Sequence, residues 1–228
     1  MTLLPDKDLY IFDFDGTLVD TAPDVQVAIN LMRRKYNLCD LSLNETKKLI
    51  GRGQKYTIDM AIADEDGIDC DEAEKLYKSY YFENMTRHAR LYPGIMNILG
   101  FLKDNYKDIC IVSNKYSYYV ERIIESLGCK GFFSFICGPD IIDIKKPEPD
   151  MVLYAAQKTG NNIDRTILIG DSEFDVITGK NARITTTFAI HGYGNYDEVV
   201  REEPDYLLVG KEDLSFVKYN VNIDYRNY

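Results

Sequence analysis

"IFDFDGTLVD", residues 11–20, begins as an apolar run and then places two aspartates, Asp13 and Asp15, directly before Gly16 and Thr17. In an extended segment residues i and i+2 point to the same side, so these two carboxylates lie close together. They repel one another unless a positive charge lies between them. The stretch therefore predicts a buried strand that ends in a charged site.

The composition indicates a globular protein that binds neither nucleic acid nor membranes. The chain has 228 residues, enough for one large domain or for a domain with a smaller insert, and 45% hydrophobic residues can form a core. Its 27 basic and 37 acidic residues give a net charge of -10, which argues against anionic partners of these kinds. No apolar run approaches the roughly 20 residues of a membrane span.

The N-terminus and the cysteines indicate the cytoplasm. The first twelve residues, "MTLLPDKDLYIF", lack a basic region followed by a long apolar core, so we expect no signal peptide. The five cysteines are odd in number and form no C-x-x-C pair, which argues against a disulfide framework or a structural zinc site. Buried thiols in a reducing compartment account for them.

Six short apolar runs recur along the chain, separated mostly by helical patterns. Their hydrophobicity is continuous rather than alternating, as in parallel strands that are covered on both faces. The pattern predicts an α/β fold, with a doubly wound, Rossmann-like parallel sheet as its core. The runs are LYIF (9–12), ICIVS (109–113), FFSFICG (132–138), TILIGD (166–171), TTTFAI (185–190) and DYLLVG (205–210).

Residues 19–90 differ from the rest because they show helical patterns and no convincing strand. Ser42 and Glu45 have the spacing of a helix capping box, and Asp71 and Glu74 repeat it. We therefore predict an all-helical cap domain of residues 19–90, inserted into a catalytic core of residues 1–18 and 91–228.

Chemically capable residues follow four of the predicted strands. In open α/β sheets, ligands bind beyond the carboxyl ends of the strands. Carboxylates that converge need a cation, and a site made of oxygen ligands suits Mg²⁺. Hydrogen-bond donors and positive charges at the same edge can bind the oxygens of a phosphate group. The acids are Asp13, Asp15, Asp171 and Asp175; the donors are Ser113, Asn114 and Lys146.

This set of residues fits phosphoryl transfer. With a metal ion screening its charge, an aspartate can attack phosphorus and form an aspartyl-phosphate. A neighbouring carboxyl group can protonate the leaving oxygen and later take a proton from water. The sequence thus predicts a Mg²⁺-dependent phosphatase that acts on a small phosphorylated metabolite.

Four segments, "DFDGTLVD", "VSNK", "KKPEPD" and "GDSEFD", resemble in matching order the four motifs of the haloacid dehalogenase-like hydrolase superfamily. The resemblance implies that Asp13 is the nucleophile and Asp15 the general acid/base. It implies Mg²⁺ bound by Asp13, Asp171 and the main chain of Asp15. The remaining implied roles are phosphate binding by Ser113, support of nucleophile and phosphate by Lys146, support of the metal by Asp175, and further substrate contacts by Thr17 and Asn114.

The expected substrate is small because the insert resembles the family's C1-type cap, which closes over the site. The cap loop "GRGQK" (51–55) offers Arg52 and Lys55 as ligands for a second anion. A helix stop with exposed charge explains the same loop equally well. Residues 191–210 resemble the tail of the phosphoglycolate phosphatase-like branch, so 2-phosphoglycolate is the favoured substrate.

Several alternatives remain open on the sequence. A dehalogenase shares the nucleophile, and a β-phosphoglucomutase-like isomerase, a pyrophosphatase or a nucleotidase shares most of the site. A non-enzymatic phosphometabolite-binding protein would not require both a nucleophile and an acid. An EF-hand loop starting at Asp13 is excluded because its sixth position is Leu18 and its twelfth is Asp24. The sequence assigns no role to Lys115 and does not indicate the oligomeric state.

Overall fold

The computed structural model describes residues 5–210 and 213–226. Residues 1–4, 211–212 and 227–228, which belong to the predicted core segments, lie outside the described residues. No helix in the described part of the chain combines the length and the apolar character that a membrane span requires. The strands are β1 (Leu9–Phe12), β2 (Val19–Asp20), β3 (Arg90–Leu91), β4 (Asp108–Val112), β5 (Phe135–Cys137), β6 (Thr166–Gly170), β7 (Thr185–Ala189), β8 (Tyr206–Val209) and β9 (Ser215–Lys218).

Within the described residues, seven strands form one sheet in the order β5-β4-β1-β6-β7-β8-β9. All neighbours in it are parallel except β8 and β9. The prediction of a parallel α/β sheet is confirmed, and β1 lies at its centre, where it pairs with β4 and β6. The antiparallel edge strand β9 was not predicted. The carboxyl ends of β1, β4 and β6 meet at one edge of the sheet.

Both faces of the central strand are buried, which explains its continuous apolar sequence. Tyr10 and Phe12 contribute to one large apolar cluster, whereas Leu9 and Ile11 contribute to a second. All four side chains are fully buried. The helices that cover the sheet or form the insert are α1 (Ala22–Lys35), α2 (Leu43–Lys47), α3 (Gln54–Ala61), α4 (Cys70–Asn84), α5 (Ile95–Asp104), α6 (Ser117–Ser126), α7 (Asp150–Thr159), α8 (Glu173–Asn181) and α9 (Tyr196–Arg201).

Helices α1 to α4 form the insert. They lie between β2 and β3, which pair antiparallel where the chain leaves the seven-stranded sheet and its helices and returns to them. This two-stranded sheet was not predicted, and the division into core and cap stays a prediction. The capping box of α2 at Ser42 and Glu45 is present. The second predicted box is wrong, because Asp69 caps α4 by accepting hydrogen bonds from the amides of Asp71 and Glu72.

A buried carboxylate joins the two ends of the insert. Asp24 on α1 is fully buried and accepts hydrogen bonds from the main-chain amides of His88, at 3.0 Å, and Ala89, at 2.9 Å. The His88 ring adds a contact of 2.7 Å between Nδ1 and Asp24 Oδ1. These bonds satisfy a charge that would otherwise be costly to bury, so Asp24 fixes the returning segment against α1.

Candidate active site

Three carboxylates from two strand ends converge beside one ammonium group. Asp13 follows β1, Asp171 follows β6, and Asp175 lies in the first turn of α8. Oxygen atoms of the three lie within 4.8 Å of one another, and all three residues are buried. Lys146 Nζ lies 2.7 Å from Asp13 Oδ1 and 2.5 Å from Asp175 Oδ1. The structure thus brings together four of the residues that the sequence singled out.

The electrostatics of this cluster are set by burial. Burial raises the pKa of Asp13 from 3.8 to about 6, against the attraction of Lys146. Burial also raises the pKa of Asp171, and the nearby charges of Asp13 and Asp175 raise it further. Burial alone would lower the pKa of Lys146, but its two carboxylate partners outweigh that effect and raise it. The ammonium group therefore stays charged, while the carboxylates lack full compensation.

The residues present fit a divalent cation. Three buried carboxylates face a single buried ammonium group in this cluster, so when all three are ionised two negative charges have no cationic partner in it. Such charges are costly to bury unless a cation neutralises them. A set of carboxylate oxygens is the donor chemistry of Mg²⁺. The Asp13, Asp171 and Asp175 side chains are therefore the candidate metal ligands, together with the neighbouring Asp15.

The carboxylate of Asp171 is oriented by groups from two distant segments. Its Oδ1 accepts a hydrogen bond of 3.0 Å from the Thr17 hydroxyl, and its Oδ2 accepts one of 2.7 Å from the Tyr193 amide. Thr17 is fully buried and lines neither cavity at the site; its hydroxyl supports Asp171, and its contact with substrate stays a prediction. A Cβ built on Gly16 would lie 2.3 Å from Asp171 Oδ2, and one on Gly192 would lie 2.2 Å from Asp171 Cβ.

Asp15 is held by a residue to which the sequence assigned no role. Lys115 Nζ lies 2.9 Å from both carboxylate oxygens of Asp15, and the Thr21 hydroxyl donates a short hydrogen bond to Oδ1. The Lys115 side chain is only 10% exposed. The sequence held a signal for this role that we did not use, because Lys115 follows Ser113 by two positions at the carboxyl end of the same strand.

Ser113 and Asn114 follow β4 but differ in what they can bind. Ser113 lines the cavity beside Asp13, and its Oγ accepts a hydrogen bond of 3.3 Å from the Lys115 amide. Asn114 uses its side chain on main-chain groups, because Nδ2 donates to Gly51 O at 2.9 Å and Oδ1 accepts from Lys146 N at 2.8 Å. Ser113 therefore remains a candidate phosphate ligand. Asn114 fixes Lys146 and ties the insert to the core.

The two cations of the insert loop lie in different places. Arg52 lines a cleft beside the carboxylates, where its guanidinium lies 5.1 Å from the Phe174 ring centre and 3.8 Å from Glu173. Lys55 is 69% exposed, forms an ion pair with Asp59 one turn along α3, and lines neither cavity at the site. The helical spacing draws Lys55 to its own helix, so the structure does not bring this predicted substrate ligand to the site.

Two cavities adjoin Asp13 and Asp15, and Ile50 and Gly51 border both. One is a cleft of about 470 Å³ on the side of Asp171, lined from the insert by Lys47, Lys48 and Arg52. The other is a small chamber of about 40 Å³ between the core and the insert. The chamber lining consists of Asp13, Asp15, Val25, Ile50, Gly51, Gly53, Gln54, Thr57, Tyr77, Tyr81, Ser113, Asn114, Lys115, Tyr116 and Tyr119.

Comparison with known proteins agrees with this geometry. The family model of haloacid dehalogenase-like hydrolases matches residues 10–189. The phosphoglycolate phosphatase of Aquifex aeolicus is 29% identical over 204 residues, which are 90% of this chain and 93% of the relative. That of Mesorhizobium japonicum is 31% identical, over 89% of this chain and 90% of the relative.

A solved structure has the same fold. It is the crystal structure of a protein from Haemophilus somnus 129pt that is described as a predicted phosphoglycolate phosphatase. It is 27% identical, with a TM-score of 0.83 over 90% of this chain and 94% of that chain. The fold and the site define a phosphoric monoester hydrolase. The chain belongs to the haloacid dehalogenase-like hydrolases.

Proposed function

We propose that this enzyme hydrolyses 2-phosphoglycolate in a Mg²⁺-dependent reaction through a phosphoryl group held on Asp13. The observation that carries the proposal is the position of Asp13, which borders both the carboxylate cluster and the small chamber. The relatives named phosphoglycolate phosphatases support the choice of substrate. Their similarity extends over about nine tenths of the chain, so it includes the insert as well as the core.

In the first step, an oxygen of Asp13 attacks phosphorus and the bond between phosphorus and the leaving oxygen breaks. Asp15 donates a proton to that oxygen, so glycolate leaves as the alcohol. In the second step water attacks the phosphorus of the aspartyl-phosphate and gives its proton to Asp15. The bond between the Asp13 oxygen and phosphorus breaks, so inorganic phosphate departs and the Asp13 carboxylate is restored. The same carboxyl group thus serves as acid and then as base.

Lys146 and Ser113 prepare the phosphoryl group for this chemistry. Lys146 holds Asp13 in place, since its ammonium group lies 2.7 Å from the Asp13 carboxylate. After the attack this positive charge remains next to the phosphoryl oxygens. Ser113 can donate its hydroxyl proton to one of those oxygens. When bound by Asp13, Asp171 and the main chain of Asp15, Mg²⁺ would act as a Lewis acid that neutralises phosphoryl charge.

The chamber limits the leaving group to a few atoms. Its volume of about 40 Å³ exceeds the minimum for one water molecule but is far below the ~300 Å³ of a typical ligand pocket. A two-carbon acid is among the smallest leaving groups that a phosphomonoester can have. A hexose or a nucleoside would require the insert to move away from Asn114, which contacts it through Gly51 O.

The test compares phosphate release from 2-phosphoglycolate, glucose 1-phosphate, AMP and pyrophosphate, with Mg²⁺ and with EDTA. We expect the highest kcat/KM on 2-phosphoglycolate, no turnover in EDTA, and loss of at least about a thousandfold in kcat for Asp13→Asn. Asp40→Asn, at an exposed ion pair on the insert, is the control and should keep full activity. Activity that survives EDTA, or conversion of glucose 1-phosphate to the 6-phosphate, contradicts the proposal.

A further inference from the structure

Lys115 is a nearly buried cation in the small chamber. Its ammonium group pairs with both oxygens of Asp15 and lies 4.8 Å from the centre of the Tyr81 ring. Tyr77 stacks on Tyr81 with ring centres 5.5 Å apart, which supports that wall. Among the described residues that line the chamber, Lys115 is the only lysine or arginine. A negative charge on a leaving group in this chamber would therefore interact with the Lys115 ammonium group.

Apart from Lys146, which pairs with Asp13, three further cations near the site face the cleft instead. Lys47, Lys48 and Arg52 line that cleft, and Arg52 has a side chain that is 49% exposed. Exposed charges are screened by solvent, whereas a nearly buried charge such as that of Lys115 interacts more strongly. Lys115 is thus better placed than Arg52 to distinguish an anionic leaving group from a neutral one.

The reach of Lys115 matches a short acid. An oxygen protonated by Asp15 lies beside the carboxylate that Lys115 contacts at 2.9 Å. A carboxylate one methylene away lies about 3 Å from that oxygen, since each bond spans about 1.5 Å. An ammonium group has three N–H donors, of which Asp15 can engage two. The third can donate to the substrate carboxylate.

We propose that Lys115 binds the carboxylate of the leaving group and that this residue, not Arg52, sets a preference for phosphorylated 2-hydroxy acids. This inference rests on the proposed function and names the residue that recognises its substrate. The aromatic wall of Tyr77 and Tyr81 holds the ammonium group in the chamber through a cation–π contact. Asp15 is left to handle the leaving oxygen.

The test measures kcat/KM on 2-phosphoglycolate and on 2-hydroxyethyl phosphate, which replaces the carboxylate by a neutral alcohol. Lys115→Met keeps the length of the side chain and removes its charge, and Arg52→Met is the matched control. For Lys115→Met we expect the ratio of the two constants to fall about 30-fold to 100-fold, the effect of a lost charged hydrogen bond, mainly through KM. Arg52→Met should change the ratio less than about threefold.

The ratio keeps the outcomes distinct. Both esters are measured on the same preparation, so a smaller folded fraction of a variant cancels. If the wild type does not prefer 2-phosphoglycolate, the proposed function fails and the assignment of Lys115 fails with it. If the wild type prefers it and Lys115→Met keeps that preference, the assignment of Lys115 alone is overturned. An equal loss on both esters also overturns it, because Lys115 would then act only through Asp15.

Discussion

Replacing the nucleophile with asparagine is expected to stabilise the metal-free protein at neutral pH. The pKa of Asp13 is raised from 3.8 to about 6, mainly by burial, and this net change already includes the attraction of Lys146. The asparagine side chain would have nearly the same shape without the charge. Lys146 would keep a carboxylate partner, since its Nζ also lies 2.5 Å from Asp175.

The sign follows from where the proton is held. Unfolded Asp13 releases its proton near pH 3.8, whereas folded Asp13 keeps it up to about pH 6. Between these values the folded state binds more protons, so the free energy of unfolding falls as the pH rises. Above both values the loss is about 3 kcal/mol, at about 1.4 kcal/mol per pH unit. For a chain of this size that is roughly 6–12 °C in Tm.

The assay is urea or thermal unfolding of the wild type and Asp13→Asn in EDTA. The variant should be more stable at about pH 7.5, and its advantage should shrink by about 2 kcal/mol at about pH 4.5. Added Mg²⁺ should stabilise the wild type more than the variant, because the ion binds the charged cluster. A variant that is less stable at pH 7.5, or an advantage that does not change with pH, would refute this account of the site.

Two further predictions concern the groups that hold the insert and the Asp171 loop. Asp24→Ala should lower the free energy of unfolding by about 3 kcal/mol or more in urea titrations, because the buried Ala89 amide and the part-buried His88 amide lose their acceptor. Asp40→Ala, at an exposed ion pair, should cost less than about 1 kcal/mol, and similar losses for both would contradict the role of Asp24. Tyr193→Phe should cost about 1–2 kcal/mol, because its hydroxyl accepts from the amides of Thr21 and Ala22. Unchanged melting of that variant would show that solvent replaces the hydroxyl.

The sequence predicted the elements whose physical signal is local. The runs that became β1, β4 and β6 are apolar throughout because both faces of the sheet are covered, and their polar ends fall at one edge. Strand β9 was missed because an edge strand is half exposed and carries no continuous apolar run. Strands β2 and β3 were missed because a strand of two residues is too short to show the alternation of apolar and polar side chains.

Side-chain contacts between segments far apart in the chain could not be predicted from local sequence patterns. Lys115 and Asp15 are 100 positions apart, and Tyr193 meets α1 across more than 170 positions. Spacing placed Asp13 and Asp171 at one sheet edge but could not show which hydroxyl or amide orients each carboxylate. Lys55 shows another limit of such reasoning, because spacing alone could not tell whether this cation faces the site or pairs with Asp59 on its own helix.

Two of the glycines that pack against Asp171, Gly16 and Gly192, face its carboxylate and make its surroundings intolerant of mutation. Since a Cβ at Gly16 or Gly192 would overlap that carboxylate, every substitution at either position disturbs the same group. The chamber wall is different, because Thr57 and Tyr116 belong to other segments and line a cavity that Asp171 does not border. Random variation can therefore alter which leaving group fits while the reaction itself is kept.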